Sequence, residues 1–183
     1  MAKRQLDPLV GPRVRLRLLE EADLPMTMAW RNQDHIRVWF GHADLLTWEQ
    51  HKNWCAQYFR RDNDFIFIIE ETCDLHKPVG QISLYNIDWD RRRAEYGRLL
   101  IGEPEASGKG LAKEATQVLL DYAFGRLGLT EVALEVFGTN LPAIAIYRAC
   151  GFREVGEGGG LKRMARGSGS AAQAATPPQR KGA

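Results

Sequence analysis

The sequence has little cysteine, and its cysteines do not suggest a disulfide framework. Cys55, Cys73 and Cys150 are the only three in the 183-residue chain, an odd number, and no two have the C-x-x-C spacing. They indicate free thiols and a reducing, cytoplasmic compartment. The four histidines do not fall at zinc-site spacing from these cysteines, so the sequence predicts no metal site.

Long apolar runs are also missing. A membrane-spanning helix needs about 20 consecutive apolar residues, and no segment of the sequence approaches that length. The first residues, MAKRQLDPLVGPR, contain no apolar centre of a secretory signal. We therefore expect no membrane partner. Hydrophobic residues make up 44% and charged residues 26% of the chain, which is typical of one globular domain.

Excess positive charge is confined to the end of the chain. The net charge is +2, but residues 156–183 hold five Lys or Arg and one acid, leaving 20 basic and 22 acidic residues in 1–155, a net of −2. A nucleic-acid-binding domain usually carries a basic surface. We therefore expect no nucleic-acid partner.

Apolar periodicity predicts a series of strands and helices. It predicts strands over residues 14–19, 64–71, 78–88, 92–101 and 131–137, and helices over 20–32, 47–61, 108–127 and 141–150. Asp23, Thr47 and Asn140 are the predicted N-caps, and Thr47 forms a capping-box pattern with Gln50. The two strands that flank the longest helix favour a parallel crossover pair.

The last 28 residues have a different composition. In the segment 156–183, GEGGGLKRMARGSGSAAQAATPPQRKGA, only Leu161 and Met164 are large and apolar. Such a segment buries too little apolar surface to offset the entropy cost of ordering it. The composition therefore predicts a disordered, basic tail.

Two glycines flank a lysine where the longest helix begins, at Gly108, Lys109 and Gly110. A nucleotide P-loop would need a Ser or Thr after Lys109 and four residues, not five, after Gly102. A dinucleotide-binding loop would need glycine at Lys113. What remains is an anion site made of helix N–H groups. The pattern favours a phosphate-bearing ligand held without a metal.

Three segments resemble the GNAT N-acetyltransferases. SGKGLA (107–112) resembles their pyrophosphate motif [QR]-x-x-G-x-[GA], VFGTNLPAIAIYRACGF (136–152) resembles their N-x-x-A-x-x-[LF]-Y-x-x-x-G-F motif, and LRLLEEADLPMTMAWRN (16–32) resembles their first strand and helix. The resemblance implies an α/β (α+β) fold with one mixed central sheet flanked by helices. It divides the chain into an extension (1–12), an acetyl-CoA-binding domain (13–155) and the tail (156–183).

The sequence departs from the family pattern at two points. Ser107 stands where the family has Arg or Gln, which removes one side-chain contact to phosphate. After Phe152 the family continues with two strands that close the sheet, whereas this chain continues into the glycine-rich tail. We therefore expect the final strands to be missing, through truncation, frameshift or divergence. A non-catalytic CoA-binding protein stays open as an alternative.

The resemblance implies acetyl transfer from acetyl-CoA to a primary amine, without a metal. The backbone N–H of Leu100 would face the thioester oxygen, while Leu99 and Ile101 would pair with the pantetheine amides. The pyrophosphate would be held by the residues Gly108, Lys109, Gly110, Leu111 and Ala112. Asn140 would cap the following helix, and its side chain could also meet CoA.

Two residues are predicted to move protons. Tyr147 matches the family tyrosine that approaches the sulfur, and its phenol would protonate the leaving thiolate; the alternative is a packing aromatic. Glu95 is the candidate general base, and the alternative is an ion pair with Arg92 or Arg93.

The acceptor side is predicted from aromatic residues. Trp39 and Phe40, close to a loop, would line the substrate pocket. The pattern RN…W…W, followed by FIFIIEE…PVGQISLYNID, most resembles the subgroup that acetylates nucleotide-linked amino sugars, so we expect a small-molecule amine or amino-sugar nucleotide as partner. A protein N-terminal acetyltransferase of the ribosomal type is the alternative. The expected assembly is a monomer or homodimer.

Overall fold

Helices and strands follow the predicted order, with four additions. The computed structural model describes residues 3–40 and 44–169. Its strands are β1 (Leu9–Val10), β2 (Val14–Leu18), β3 (Phe65–Glu71), β4 (Lys77–Asp88), β5 (Arg93–Ile101), β6 (Glu131–Phe137), β7 (Arg153–Gly158) and β8 (Leu161–Gly167). Its α-helices are α1 (Leu24–Arg31), α2 (Asp34–Arg37), α3 (Trp48–Tyr58), α4 (Leu111–Gly125) and α5 (Leu141–Ala149). The elements β1, α2, β7 and β8 were not predicted.

Strand β3 shows how the sheet is covered. Phe65, Phe67 and Ile69 belong to one buried core cluster, while Ile66 and Ile68 belong to a second one. Successive side chains of a strand point to opposite faces, so apolar residues at every position place β3 between two layers. The first cluster includes residues of α4 and α5, and the second includes residues of α1, α2 and α3. The mixed sheet flanked by helices is therefore confirmed.

The sheet has the strand order β1-β2-β3-β4-β5-β6-β8-β7. Only β5 and β6 pair in parallel, and α4 connects them, as the crossover prediction requires. The other neighbours are antiparallel. This one parallel junction lies near the middle of the sheet, with helices on both sides.

Two of the three predicted helix caps are confirmed. The Thr47 hydroxyl accepts from the Gln50 N–H at 3.3 Å, and the Gln50 side chain accepts from the Thr47 N–H at 3.0 Å. The Asn140 Oδ1 accepts from the Ala143 N–H at 3.3 Å. Asp23 occupies the predicted N-cap position of α1, but its carboxylate makes no capping bond there. It binds the guanidinium of Arg17 at 2.6 and 2.8 Å instead.

The predicted disordered tail is wrong for residues 156–167, and the final strands are present. β8 pairs with β6 over seven residues, from Glu131 opposite Gly167 to Phe137 opposite Leu161. β7 then pairs with the outer edge of β8. The expectation of an unfinished sheet is therefore overturned, and with it the structural reason for a non-catalytic protein. The rest of the predicted tail, from residue 170 on, lies outside the described residues.

The glycines that suggested disorder form a tight turn. Gly159 and Gly160 connect β7 to β8 with φ of 60° and 79°, as a two-residue hairpin turn of type I′ requires. Met164 is fully buried, and Arg166 is only 7% exposed. The Arg166 guanidinium donates to the carbonyl of Cys150 at 2.7 Å and lies 5.3 Å from the Phe124 ring centre. A buried arginine therefore takes the place of an apolar residue on this strand.

The first residues of the chain also contribute to the domain. Leu9 and Val10 pair with β2, and the Lys3 ammonium lies 3.6 Å from the ring centre of Tyr58. From residue 3 onward, the predicted extension thus belongs to the domain: it adds a strand to the sheet and contacts α3. No helix in the described ranges combines the length and apolar character that crossing a membrane demands.

Candidate active site

β5 and β6 separate to form a cleft. They pair only at Arg93–Glu95 and Glu131–Ala133, and beyond these residues a cavity of about 400 Å³ lies between them. Its walls come from β5, β6, α5 and the segment around α2, and include Ile36, Trp39, Phe40, Tyr85, Gly97, Arg98, Leu99, Leu100, Ile101, Ala112, Glu135, Val136, Phe137, Asn140, Ala143, Ile146, Tyr147 and Leu161. The two strands thus splay apart beyond Glu95 and Ala133.

A bulge on β5 shapes one wall of this cleft. Gly97 pairs with Ser83 and Leu100 pairs with Gln81, so β5 has one more residue than β4 in this interval. The extra residue brings Arg98 to a φ of 52°, in the left-handed region that few residues other than glycine adopt. Bulges of this kind redirect side chains near active sites. Here the bulge directly precedes the predicted pantetheine-binding residues, which line the cleft.

The predicted pyrophosphate loop lies at the entrance of α4. Gly108 and Gly110 have φ of 72° and 79°, and Gly110 is the residue before the helix. Glycine adopts this backbone conformation without steric cost, and the first N–H groups of a helix lack intrahelical acceptors. Ala112 in the first turn of α4 also borders the cleft. The loop and the cleft are therefore continuous.

Arg13 was missed by the sequence analysis and lies beside this loop. Its Nη1 donates to the carbonyl of Lys109 at 3.0 Å, and its Nε is 2.9 Å from a Glu114 carboxylate oxygen. The Nη2 would lie 3.6 Å from a side-chain carbon at Gly110. Arg13 thus places a guanidinium beside the loop in which Ser107 replaces the Arg or Gln of the family. No local motif marks Arg13, because it reaches the loop from the start of β2.

Tyr147 lies in the wall of the cleft, with 7% of its surface exposed. Its ring packs edge-on against Tyr96 and Phe152, with ring centres 5.6 and 6.0 Å away. Burial raises the pKa of the Tyr147 phenol well above its ordinary value, and nearby Tyr85 adds to the effect. Its hydroxyl has no hydrogen-bond partner within the described parts of the chain. The arrangement keeps the phenol protonated and able to donate.

Glu95 lies outside the cleft wall. It is exposed and accepts a hydrogen bond from the Asn86 side chain at 3.0 Å. Neither expected arginine pairs with it; Arg93 instead lies 3.6 Å from Glu131. Its cross-strand neighbour is Tyr85, which borders the cleft and whose pKa burial raises to about 12, with a further contribution from Glu95. Its role as base stays a prediction.

Sequence reasoning missed the carboxylate that borders the cleft. Glu135 on β6 is one of the lining residues, and its Oε1 lies 3.0 Å from Nε of Arg163. Strand alternation could have flagged it, since Glu135 falls between the buried residues Leu134 and Val136. It is therefore a second candidate for the base.

The predicted acceptor residues Trp39 and Phe40 both lie in the cleft wall. Trp39 is 40% exposed, and its ring centre lies 6.2 Å from that of Phe137 on β6. Asn140 also borders the cleft while it caps α5. The predicted site residues are thus brought to one cleft and its adjoining loop, with the exception of Glu95.

A second cavity, of about 580 Å³, lies on the face of the sheet covered by α1 and α3. It is lined by Leu19, Thr27, Arg31, Asp44, Leu45, Leu46, Gln50, His51, Trp54, Ile66, Gln81 and Arg98. Arg98 also borders the first cavity, so the two adjoin at the bulge. Inside the second cavity, His51 Nε2 lies 3.0 Å from the Thr27 hydroxyl, and burial lowers the pKa of His51. That imidazole is therefore neutral near pH 7.

Within residues 3–40 and 44–169, no three His, Cys, Asp or Glu side chains form a group that could hold a metal ion. All three cysteines are free thiols, with Cys55 and Cys150 buried and Cys73 exposed.

The fold and the cleft define the class of protein. The profile of the family described as "Acetyltransferase (GNAT) domain" matches residues 13–153. The spermidine N(1)-acetyltransferase of Escherichia coli K12 is 34% identical over 145 residues, which cover 79% of this chain and 75% of that protein. The chain belongs to the GNAT acetyltransferase family. It is an N-acetyltransferase that acts on amines, with acetyl-CoA as co-substrate.

Two further relatives show the range of the likeness. A crystal structure of the spermidine N-acetyltransferase of Vibrio cholerae in complex with CoA and spermine has a TM-score of 0.77 and 26% identity, covering 87% of this chain and 98% of that one. The human alpha/beta-tubulin-N-acetyltransferase 9 is 31% identical over 86 residues, 47% of this chain and 40% of that protein. Some of these relatives are thus named for a small-molecule acceptor, and another is named for a protein acceptor.

Proposed function

We propose that this chain transfers the acetyl group of acetyl-CoA to the primary amine of a small molecule in the cleft between β5 and β6. The observation that carries the proposal is the continuity of that cleft with the glycine loop at α4, through Ala112. A ligand with a pyrophosphate on the helix N–H groups could extend along Leu99–Ile101 toward Tyr147. The guanidinium of Arg13 would supply the side-chain contact to phosphate that Ser107 cannot make.

The chemistry requires three proton movements. The ammonium of the acceptor must lose one proton before its nitrogen attacks the thioester carbon, and the nitrogen loses a second proton to the base as the C–N bond forms and the C–S bond breaks. The departing thiolate then takes the proton of the Tyr147 phenol, which solvent restores. A phenol with a raised pKa is a weaker acid than the thiol it forms, so this transfer requires the thiolate to develop in the same apolar wall, where its own charge is disfavoured.

Two carboxylates are our candidates for the group that accepts the amine's protons. Glu95 would act through water next to Tyr85, and Glu135 borders the cleft directly. Comparing Glu95→Gln with Glu135→Gln identifies which of the two carboxylates acts as the base. Substitution of the base should lower turnover at neutral pH by roughly 10²-fold or more. The other substitution should leave turnover within a few-fold of the parent.

A small-molecule acceptor is supported by the size of the cleft, about 400 Å³, and by aromatic walls at Trp39 and Phe40. Their rings could stack on a sugar or base of an amino-sugar nucleotide, the acceptor expected from the sequence. A polyamine is the second candidate, because the names of the relatives from Escherichia coli and Vibrio cholerae specify spermidine. The expected assembly, a monomer or homodimer, stays a prediction.

The test combines binding and transfer. Acetyl-CoA in the presence of EDTA should raise the melting temperature, because helix N–H groups and Arg13 require no metal. ATP with Mg²⁺ should raise it less. Release of free CoA thiol should then depend on an added amine, measured over a panel of amino sugars, amino acids and polyamines. A larger shift with ATP-Mg²⁺, or no thiol release with any amine, would count against the proposal.

A further inference from the structure

The second cavity contains a cation that is not matched by a carboxylate. Arg31, the last residue of α1, lies in its wall. The Nε of Arg31 is fully buried without a hydrogen-bond partner, and no ion pair joins Arg31 to an acid within the described residues. Its guanidinium lies 4.0 Å from the ring centre of Phe40. A stacked guanidinium with free donors is suited to binding a planar oxyanion.

The other arginine of this cavity is already neutralised. Arg98 makes a two-point contact with the buried carboxylate of Asp64, at 2.6 and 3.1 Å. Its guanidinium also lies 4.3 Å from the Tyr85 ring centre and 5.1 Å from that of Trp54. The Arg98 charge therefore has a partner, while the Arg31 charge does not. Burial of Arg31, and then its electrostatic repulsion with Arg98, lower the Arg31 pKa.

The remaining charged group that lines the second cavity is Asp44. It is exposed, and no ion pair joins it to Arg31 within the described residues. His51 is buried and neutral, and Gln50 and Gln81 are uncharged amides. The interior of the cavity is therefore positive where Arg31 lies. Polar groups that could orient a ligand surround that charge.

The cation lies next to the transfer site. Phe40, on which Arg31 stacks, is a wall of the β5–β6 cleft. Arg98 borders both cavities at the bulge. A ligand whose amine occupies the cleft could therefore place its other end against Arg31 without leaving the protein surface.

From these contacts we infer that the acceptor amine carries an oxyanion, a carboxylate or a phosphate, which binds Arg31 in the second cavity. The inference rests on the proposed function, since it concerns the acceptor of that same transfer. It makes Arg31 a specificity-determining residue. It also disfavours polyamines, because a second ammonium in this cavity would meet the Arg31 guanidinium, which no ion pair within the described residues neutralises.

Paired acceptors test the inference by turnover. γ-Aminobutyrate against 1,4-diaminobutane compares a carboxylate with an ammonium at the far end of one chain. Glucosamine 6-phosphate against glucosamine compares phosphate with a hydroxyl. At least one anionic member should exceed its partner in kcat/KM by tenfold or more, and the two pairs separate the carboxylate and phosphate sources. Faster turnover of diaminobutane or spermidine than of both anions would overturn the inference.

Substitution of Arg31 ties the preference to the residue. Arg31→Met keeps an unbranched side chain but removes the guanidinium that lies over Phe40, and it should reduce the preference for the anion by about tenfold, mainly through KM. Arg37→Met is the matched control. Arg37 also has a buried Nε without a partner, but it is paired with Asp34 and borders neither cavity. It should keep the parental preference.

A binding measurement separates this inference from the proposed function. Calorimetry on the protein saturated with CoA, which holds no acetyl group, measures the affinity for γ-aminobutyrate and glucosamine 6-phosphate without turnover. At least one should bind, and Arg31→Met should weaken it about tenfold while the melting temperature stays near that of Arg37→Met. Equal affinity in Arg31→Met, or no binding of either anion, would overturn the inference even if some amine is acetylated. If no amine is acetylated but the anion binds through Arg31, the proposed function alone fails.

Discussion

The Tyr147 ring stands at 80° to the ring of Tyr96, with their centres 5.6 Å apart. Tyr96 is itself fixed, because its hydroxyl shares a 2.7 Å hydrogen bond with the hydroxyl of Thr116 on α4. Through the edge-to-face contact, Tyr96 links the Tyr147 ring in the wall of the cleft to α4. Tyr147 is held by its ring, which leaves its hydroxyl free for the bound substrate.

This division of roles makes Tyr147→Phe an informative substitution. Packing against Tyr96 and Phe152 should persist, so the melting temperature and the affinity for acetyl-CoA should change little. Turnover should fall by roughly 10²–10⁴-fold, the usual contribution of a positioned acid or base. Steady-state release of CoA thiol measures the effect.

The matched control is Tyr122→Phe. Tyr122 is a half-buried tyrosine of α4 that borders neither cavity, so its loss of a hydroxyl should leave turnover unchanged. If Tyr147→Phe stays within about threefold of the parent, a change under about 1 kcal/mol in the barrier, the proton comes from water and Tyr147 only packs.

The central part of the fold could be predicted from local patterns. The five predicted strands recur as β2 to β6, and the Thr47 and Asn140 caps lie where the sequence placed them. These elements have a regular apolar period that packing preserves. The end of the chain was misjudged because its composition is poor in large apolar residues. The two-residue Gly159-Gly160 turn is a hairpin signal, but the small number of large apolar residues around it predicts disorder.

The candidate site was predictable where one motif carries it. The glycine loop, the β5 segment and Tyr147 are each within a short stretch of sequence, and the structure brings them together. Arg13 and Arg31 were not found, because their positions depend on tertiary packing: Arg13 contacts Lys109, far away in the sequence, and Arg31 folds back onto Phe40. A lone arginine in a helix gives no sign of whether an acid will neutralise it.

The glycine loop predicts a binding defect in Gly110→Asp. The new carboxylate would lie next to the predicted phosphates, in reach of the Arg13 guanidinium, so acetyl-CoA affinity should fall by at least tenfold. Because φ at Gly110 is 79°, part of the effect could come from backbone strain. Gly128→Asp controls for strain, since Gly128 has a φ of 68° and an open surrounding. Comparable affinity loss in both variants would contradict the phosphate assignment.

The buried arginine of β8 predicts a stability difference along one strand. Arg166→Met removes the donor to the Cys150 carbonyl and should lower the free energy of unfolding by about 1–3 kcal/mol, the cost of leaving a buried polar group unpaired. Arg163→Met on the same strand should cost under about 1 kcal/mol, because Arg163 is 69% exposed and its ion pair with Glu135 lies at the surface. Urea unfolding measures both. Equal effects would mean that the Arg166 contacts do not stabilise β8.

The carboxylate of Glu71 predicts how stability depends on acid. It accepts hydrogen bonds from the N–H groups of Leu75, Asp74 and Cys73 at 2.5, 2.9 and 3.0 Å, which lower its pKa from 4.5 to about 2. A pKa below the unfolded value means that folding favours the charged form. This contribution to stability is therefore complete above about pH 5 and is lost as the pH falls from 4.5 toward 2.

Glu71→Gln tests that dependence. Its amide keeps the size of the side chain but loses the charge, so its melting temperature should lie below that of the parent at pH 7. The difference should shrink steadily as the pH is lowered from 5 to 2, because the parent's own carboxylate becomes protonated over that range. Glu131→Gln is the control, since that half-exposed carboxylate has only a 3.6 Å ion pair with Arg93 and should change the melting temperature little at any pH. A difference between Glu71→Gln and the parent that stays constant from pH 7 to 2 would show that the backbone hydrogen bonds do not favour the ionised form.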